Sequence, residues 1–188
     1  MKIALIGSHG VGKTTLCFEL AAALKRRHAD VEMVREVARR CPLPINQETT
    51  VPAQEWILHT QIAWEIDAAS NSDVVVCDRS VLDNYCYLVH AAGAIRAWES
   101  FIDHWLPTYD LLVHVPISES PSYDGVRAID PGFQQLIDVL LEGMVATRGL
   151  TPLRLAAGTR EEWCDTIIEV LLPKLDPTLP LFEGNTAS

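Results

Sequence analysis

Apolar positions along the chain alternate between two periods. Lys2-Ile3-Ala4-Leu5-Ile6 opens with a short apolar run, the pattern of a central strand buried on both faces. From Lys13 the spacing changes to Leu16, Leu20, Ala23 and Leu24, which predicts a helix beginning near Lys13. Val31-Glu32-Met33-Val34 predicts a second strand, and Asp73-Val74-Val75-Val76-Cys77-Asp78 a third, strongly β-branched and central. Between these two, a long helix is expected over 52–69, with Pro52 in its first turn and an irregular apolar face of Trp56, Ile57, Ile62, Ala63 and Ile66. Helices over 82–92 and 94–105, parted by Gly93, lead to a fourth strand over 109–115. Residues 116–131 are polar, contain Pro121 and Gly125, and read as a mobile lid. A helix over 131–147, a strand at 153–155 and a helix over 160–172 complete the pattern. Past Pro173 the chain turns proline-rich, then small and polar. One domain over 1–175 is therefore expected, with 176–188 a poorly ordered tail.

This β-α alternation implies an α/β fold: a parallel sheet covered by helices on both faces. Ligands of such sheets collect at the carboxyl ends of the strands. The first of those ends carries the most specific signal. Gly7-Ser8-His9-Gly10-Val11-Gly12-Lys13-Thr14 is a full G-x-x-x-x-G-K-[ST] match between a strand and a helix. Its glycines let backbone N–H groups converge on a polyanion, and the helix N-terminus adds partial positive charge. The cradle comprises Gly7, Ser8, His9, Gly10, Val11, Gly12, Lys13, Thr14 and Thr15, with Lys13 reaching the outer phosphates and the Thr14 hydroxyl a ligand for Mg²⁺. The bound cofactor is expected to be a nucleoside triphosphate.

Other strand ends supply chemistry around it. Asp78, closing strand three, is a candidate for holding magnesium, and Arg79 for clamping a phosphate. Ser80 is placed to cap the next helix. After strand two, Glu36 can take a proton from an acceptor hydroxyl, while Arg35 and Arg39, neighbours on a helical turn, suit an anionic acceptor. The acceptor set is thus Arg35, Glu36, Arg39 and Arg79. Asp83, Tyr85 and Tyr87 are further candidates to line an acceptor pocket. In the lid, Arg127 follows Gly125 and can close over a transferring phosphoryl group. Catalytic candidates are Lys13, Glu36, Arg79 and Arg127. Gly158-Thr159, after the last strand, can flank a nucleotide base. The five tryptophans read as packing residues, and the six histidines show no metal-ligand spacing.

Composition narrows the field. A 188-residue chain with 48% hydrophobic residues can bury one substantial core. A formal net charge of −10 argues against a nucleic-acid binder. No run reaches membrane-spanning length, so no membrane partner is expected. The odd set of five cysteines has no C-x-x-C pair, and Cys17 and Cys77 lie in apolar stretches, as expected of reduced core residues in a cytoplasmic protein. The acidic surface and apolar helices are compatible with a homodimer.

Taken together, GSHGVGKTT, VREVAR after strand two, VVVCDRS at strand three and SYDGVR in the lid resemble the P-loop kinase superfamily. The likeness is to the nicotinamide-riboside-kinase-like, AAA-type ATP-binding group, with the general layout of deoxynucleoside and thymidylate kinases. It implies a three-layer P-loop NTPase fold with a five-stranded parallel sheet of order 2-3-1-4-5. It also implies Mg-ATP-dependent transfer of the γ-phosphoryl group to a small acceptor: a nucleoside, a nucleotide or a related metabolite. Glu36 is similar in placement to the base of deoxynucleoside kinases, and Asp78-Arg79-Ser80 to their acidic-Arg-Ser motif. The lid departs from several relatives in carrying the single Arg127. The length leaves no room for the separate helical domain of a full AAA-type module, and no N-K-x-D guanine-reading motif is present. The alternative reading is an ATPase or GTPase switch that acts on a protein partner.

Overall fold

The computed structural model describes residues 1–45, 48–117 and 130–175. Five strands form one parallel sheet in the order β2-β3-β1-β4-β5: β1 Lys2–Ile6, β2 Val31–Val34, β3 Val74–Asp78, β4 Leu111–His114 and β5 Leu153–Arg154. The helices are α1 Lys13–Arg26, α2 Val51–Asn71, α3 Val81–Ala92, α4 Arg96–Trp105, α5 Pro131–Thr147 and α6 Trp163–Leu175. This is the P-loop NTPase fold, with the expected strand order.

Side chains on β1 alternate between two separate cores. Ile3 and Leu5 pack with Val74 and Val76 against α1 and α6, whereas Ala4 and Ile6 pack with Val75 and Cys77 against α2, α3 and α5. Every residue of β1 and β3 is buried, as continuous apolar runs in the middle of a two-sided sheet require. The five cysteines are free. No helix among the described residues is long and apolar enough to cross a membrane.

Several element boundaries differ from the sequence expectation, each for a local reason. The expected helix over 160–172 starts as a 3-10 turn, Arg160–Glu162, and becomes α-helical only at Trp163, whose fully buried indole anchors it. At its far end α6 runs through Pro173 to Leu175, where only the last turn must do without a proline N–H. The chain from 176 on, the expected tail, lies outside the described residues.

α2 buries a face that apolar spacing alone does not reveal. Its inward residues include Gln54, Gln61 and Glu65 beside Ile57, Leu58 and Ile62, while Ile66 points outward at 56% exposure. Glu65 is fully buried, and both of its oxygens are satisfied. Oε2 accepts from the Lys2 ammonium and the Trp105 indole, both at 2.8 Å. Oε1 accepts from the Tyr109 hydroxyl at 2.7 Å and from Gln61 at 2.9 Å. The Lys2 ammonium lies 4.6 Å from the ring centroids of both Trp105 and Tyr109. The network reaches the end of β3: Tyr109 Oη accepts from Val81 N at 3.0 Å, and Gln61 donates to Arg79 O at 3.3 Å. It therefore braces the turn that presents Asp78 and Arg79.

Candidate functional site

β1 lies at the centre of the sheet between β3 and β4, so the carboxyl ends of several strands open onto one crevice. The loop leaving β1 is built from backbone geometry that only glycine supplies readily. Gly7, Gly10 and Gly12 have φ of 145°, 78° and 94°. A Cβ at Gly7 would meet Val115 O at 2.6 Å, and one at Gly12 would meet the Arg160 guanidinium at 2.7 Å. Two contacts fix the loop from outside: Asp83 Oδ1 accepts from Gly7 N, and the Gln134 amide donates to His9 O at 2.7 Å. Asp83 also closes a capping box with Ser80, so one carboxylate joins the loop to the start of α3. Ser80 is thus the helix cap expected, and Asp83 is a brace away from the pocket wall.

Lys13 is buried, and its ammonium donates to Gly7 O at 2.8 Å and Ser8 O at 2.6 Å. Burial, and next the nearby Arg79 charge, lower its pKa from 10.5 to about 8. The Ser8 hydroxyl is buried with no hydrogen-bond partner among the described residues. Thr14 Oγ1 donates to Asp78 Oδ2 at 2.5 Å. Burial and the neighbouring Glu36 charge raise the Asp78 pKa, while Lys13, Thr14 and Arg79 pull the other way. A hydroxyl and a carboxylate beside a phosphate cradle suit Mg²⁺, which keeps several waters and takes phosphate oxygens. Such an ion needs no all-protein cage, and among the described residues no cluster of three or more His, Cys, Asp or Glu forms one.

Next to the loop lies the second part of the site. Arg79 adopts φ 89°, a left-handed backbone unusual for a residue other than glycine, and its guanidinium lines the crevice. There its Nε and one terminal nitrogen donate to Glu36 Oε1 at 3.0 and 2.9 Å. Arg39 Nε donates to Glu36 Oε2 at 2.8 Å. Glu36 is thus gripped on both oxygens. Arg35 does not join this cluster. Glu36 is non-helical, at ψ 103°, and residues Val37–Arg40 form a 3-10 turn, so the expected helical pairing of Arg35 with Arg39 is lost. Arg35 instead lies exposed, 5.5 Å from the Phe18 ring on α1. It therefore sits apart from Glu36, Arg39 and Arg79, the rest of the expected acceptor set.

Glu36 and Arg79 line a cavity of about 30 Å³ with His9, Gln54, Ile57, Asn84 and Tyr87. The Asn84 amide nitrogen is buried without a partner among the described residues. Tyr87 Oη accepts from Arg79 at 3.4 Å and lies 3.2 Å from His9 Nδ1, while Phe133 stacks 5.2 Å from the His9 ring. His9, one of the expected cradle residues, therefore also joins the cradle to this cavity. Tyr85 faces the core instead, its hydroxyl 3.2 Å from Ile95 N. Arg127 and nearly all of the expected lid lie outside the described residues.

The amides of Gln54, Asn84 and Gln134 were not singled out from the sequence. Gln54 carried a usable signal, since it shares the buried face of α2 with Ile57 and Leu58; Asn84 and Gln134 did not.

Residues 2–162 match the model of the AAA domain family. The chain belongs to that family. The matched span includes the phosphate loop, Glu36, Asp78 and Arg79. No curated protein sequence matches the chain. Among solved structures, the fold is similar to that of a deoxyadenosine kinase from M. mycoides with products dCMP and a flexible dCDP bound, at TM-score 0.60 and 18% identity over 93% of this chain and 98% of that one. The same enzyme with bound dATP matches at TM-score 0.59 and 18% identity, over the same shares. The AAA-family chain thus has the layout of a deoxynucleoside kinase.

Proposed function

We propose that the protein is a P-loop phosphotransferase that uses Mg-ATP to phosphorylate a hydroxyl on a small polar acceptor of the nucleoside class. One observation carries the choice of hydroxyl over phosphate. Arg79 and Arg39, the cations that an acceptor phosphate would use, are both committed to Glu36, and Arg35 faces away. The pocket thus offers a carboxylate beside the cradle, its two oxygens oriented by the arginines. It is also lined by the amides of Gln54 and Asn84, which match the polar edge of a base. The dCMP, dCDP and dATP in the similar kinase structures support a nucleoside-type ligand.

When bound, Mg-ATP supplies the phosphoryl group and part of the charge neutralisation. Within the chain, the loop amides and Lys13 bind the phosphates, and Thr14 with Asp78 holds the metal. Glu36 accepts the acceptor's proton, and the two arginines keep its carboxylate aimed. Closure by the segment that carries Arg127 belongs to the same reading, as cover over the transferring group.

The test is to incubate the protein with Mg-ATP and a panel of nucleosides, nucleotides and nicotinamide riboside, following ADP and phosphorylated acceptor together. Acceptor-stimulated ADP release with a new phosphoester supports the proposal. Turnover only on monophosphates rejects the hydroxyl acceptor. ADP release yielding only free phosphate assigns the site to an NTPase.

A further inference from the structure

Arg160 opens the 3-10 turn that follows β5, a position outside the motifs described above. Its guanidinium lies across the Cα of Gly12. A Cβ built there would be 2.7 Å from a terminal nitrogen, 3.1 Å from Cζ and 3.6 Å from Nε. The connection that carries it is anchored: the Trp163 indole is buried and donates to Ala156 O at 2.8 Å, and Arg160 Cζ lies 6.0 Å from the Trp163 ring. The side chain itself is exposed, and no ion pair joins it to a carboxylate among the described residues.

That placement is electrostatically unfavourable for the protein alone. Gly12 is the residue at the N-terminus of α1, where the helix dipole is positive, and Lys13 is next to it. A further positive group brought against the same turn, with no ion pair of its own among the described residues, fits a site completed by an anion. The strand order separates the two arginines: β3, which leads into Arg79, lies on one side of β1, and β4 and β5, which precede Arg160, lie on the other.

Resting on the nucleotide-triphosphate reading above, we propose that Arg160 is a donor-binding residue. It contacts the phosphate chain at Gly12, on the face away from the acceptor cavity. Gly12 is then required twice, once for its left-handed backbone and once to let the guanidinium approach.

The experiment compares the unaltered full chain with Arg160→Gln and Arg160→Lys by calorimetric titration of Mg-ATP and of Mg-tripolyphosphate. Loss of one exposed charge-assisted contact should weaken both ligands about tenfold in Arg160→Gln, with recovery of most of the affinity in Arg160→Lys. The KM for ATP should rise with kcat and the melting temperature nearly unchanged. Equal affinities in Arg160→Gln and the unaltered chain overturn the inference while leaving the nucleotide reading intact. Weakened ATP binding with tripolyphosphate unaffected also overturns it, because the contact is then to the nucleoside. Binding of neither ligand by the unaltered chain overturns the nucleotide reading and this inference with it.

Discussion

Raising the pH should uncouple Lys13 from the phosphates it is placed to hold. Its ammonium is buried against the loop carbonyls of Gly7 and Ser8, and its pKa is lowered to about 8 by burial first and Arg79 second. In the ligand-free protein it is then about 90% charged at pH 7 and about 10% charged at pH 9. A bound polyphosphate returns a counter-charge and keeps the lysine protonated across that window. Binding must then take up close to one proton at pH 9 and about a tenth of one at pH 7, with affinity falling about tenfold between them. Stability of the ligand-free fold moves in the opposite direction. Because the unfolded chain keeps this proton up to pH 10.5, the lysine's contribution rises with pH between about 8 and 10.5. Calorimetry of Mg-ATP binding at pH 7 and 9, in two buffers of different ionisation enthalpy, reads the proton count directly. Lys13→Met should bind more weakly and lose the uptake. A count near zero at pH 9 in the unaltered protein would refute the burial argument.

Three further outcomes follow from the geometry. Glu36→Gln should lower kcat on a hydroxyl acceptor by a factor on the order of 10² to 10⁴. It should also destabilise the fold, since Arg79 is left buried without its carboxylate; unchanged kcat would remove Glu36 as the base. Tyr109→Phe leaves Val81 N and one lone pair of Glu65 unpaired, at a cost of about 1–3 kcal/mol, and an unaltered denaturant midpoint would contradict the network described. Gly12→Ala forces a left-handed backbone on alanine, at about 1–2 kcal/mol, and displaces Arg160, so Mg-ATP affinity should drop more than stability does; retained affinity would show that the loop tolerates a side chain there.

The fold was legible because its central strands β1 and β3 are short, mostly apolar runs and the spacing changes to a helical period after them. The positions of the glycine-rich loop and of Asp78, and the Ser80 cap, were legible for a similar reason: each is local, set by its place after a strand. What stayed hidden depended on distance. That Arg79 and Arg39 meet on Glu36 follows from the pairing of β2 with β3, and that Arg35 does not follows from a single non-helical residue before a 3-10 turn. The irregular stripe of α2 was itself a sign, since polar Gln54, Gln61 and Glu65 occupy places that an apolar pattern leaves blank. Arg160 approaches Gly12 only once β5 is laid beside β4.

The ring of partners around Glu65 also bears on how this protein can change over generations. Replacing Lys2, Tyr109 or Trp105 alone strands a partner in the interior, while exchanging the group together for well-fitted apolar residues can be neutral or better. Descendants should therefore keep or abandon these positions as a block, and single-step intermediates should be rare. Since the block grips the turn that presents Arg79, lineages that give it up must find another way to aim that guanidinium.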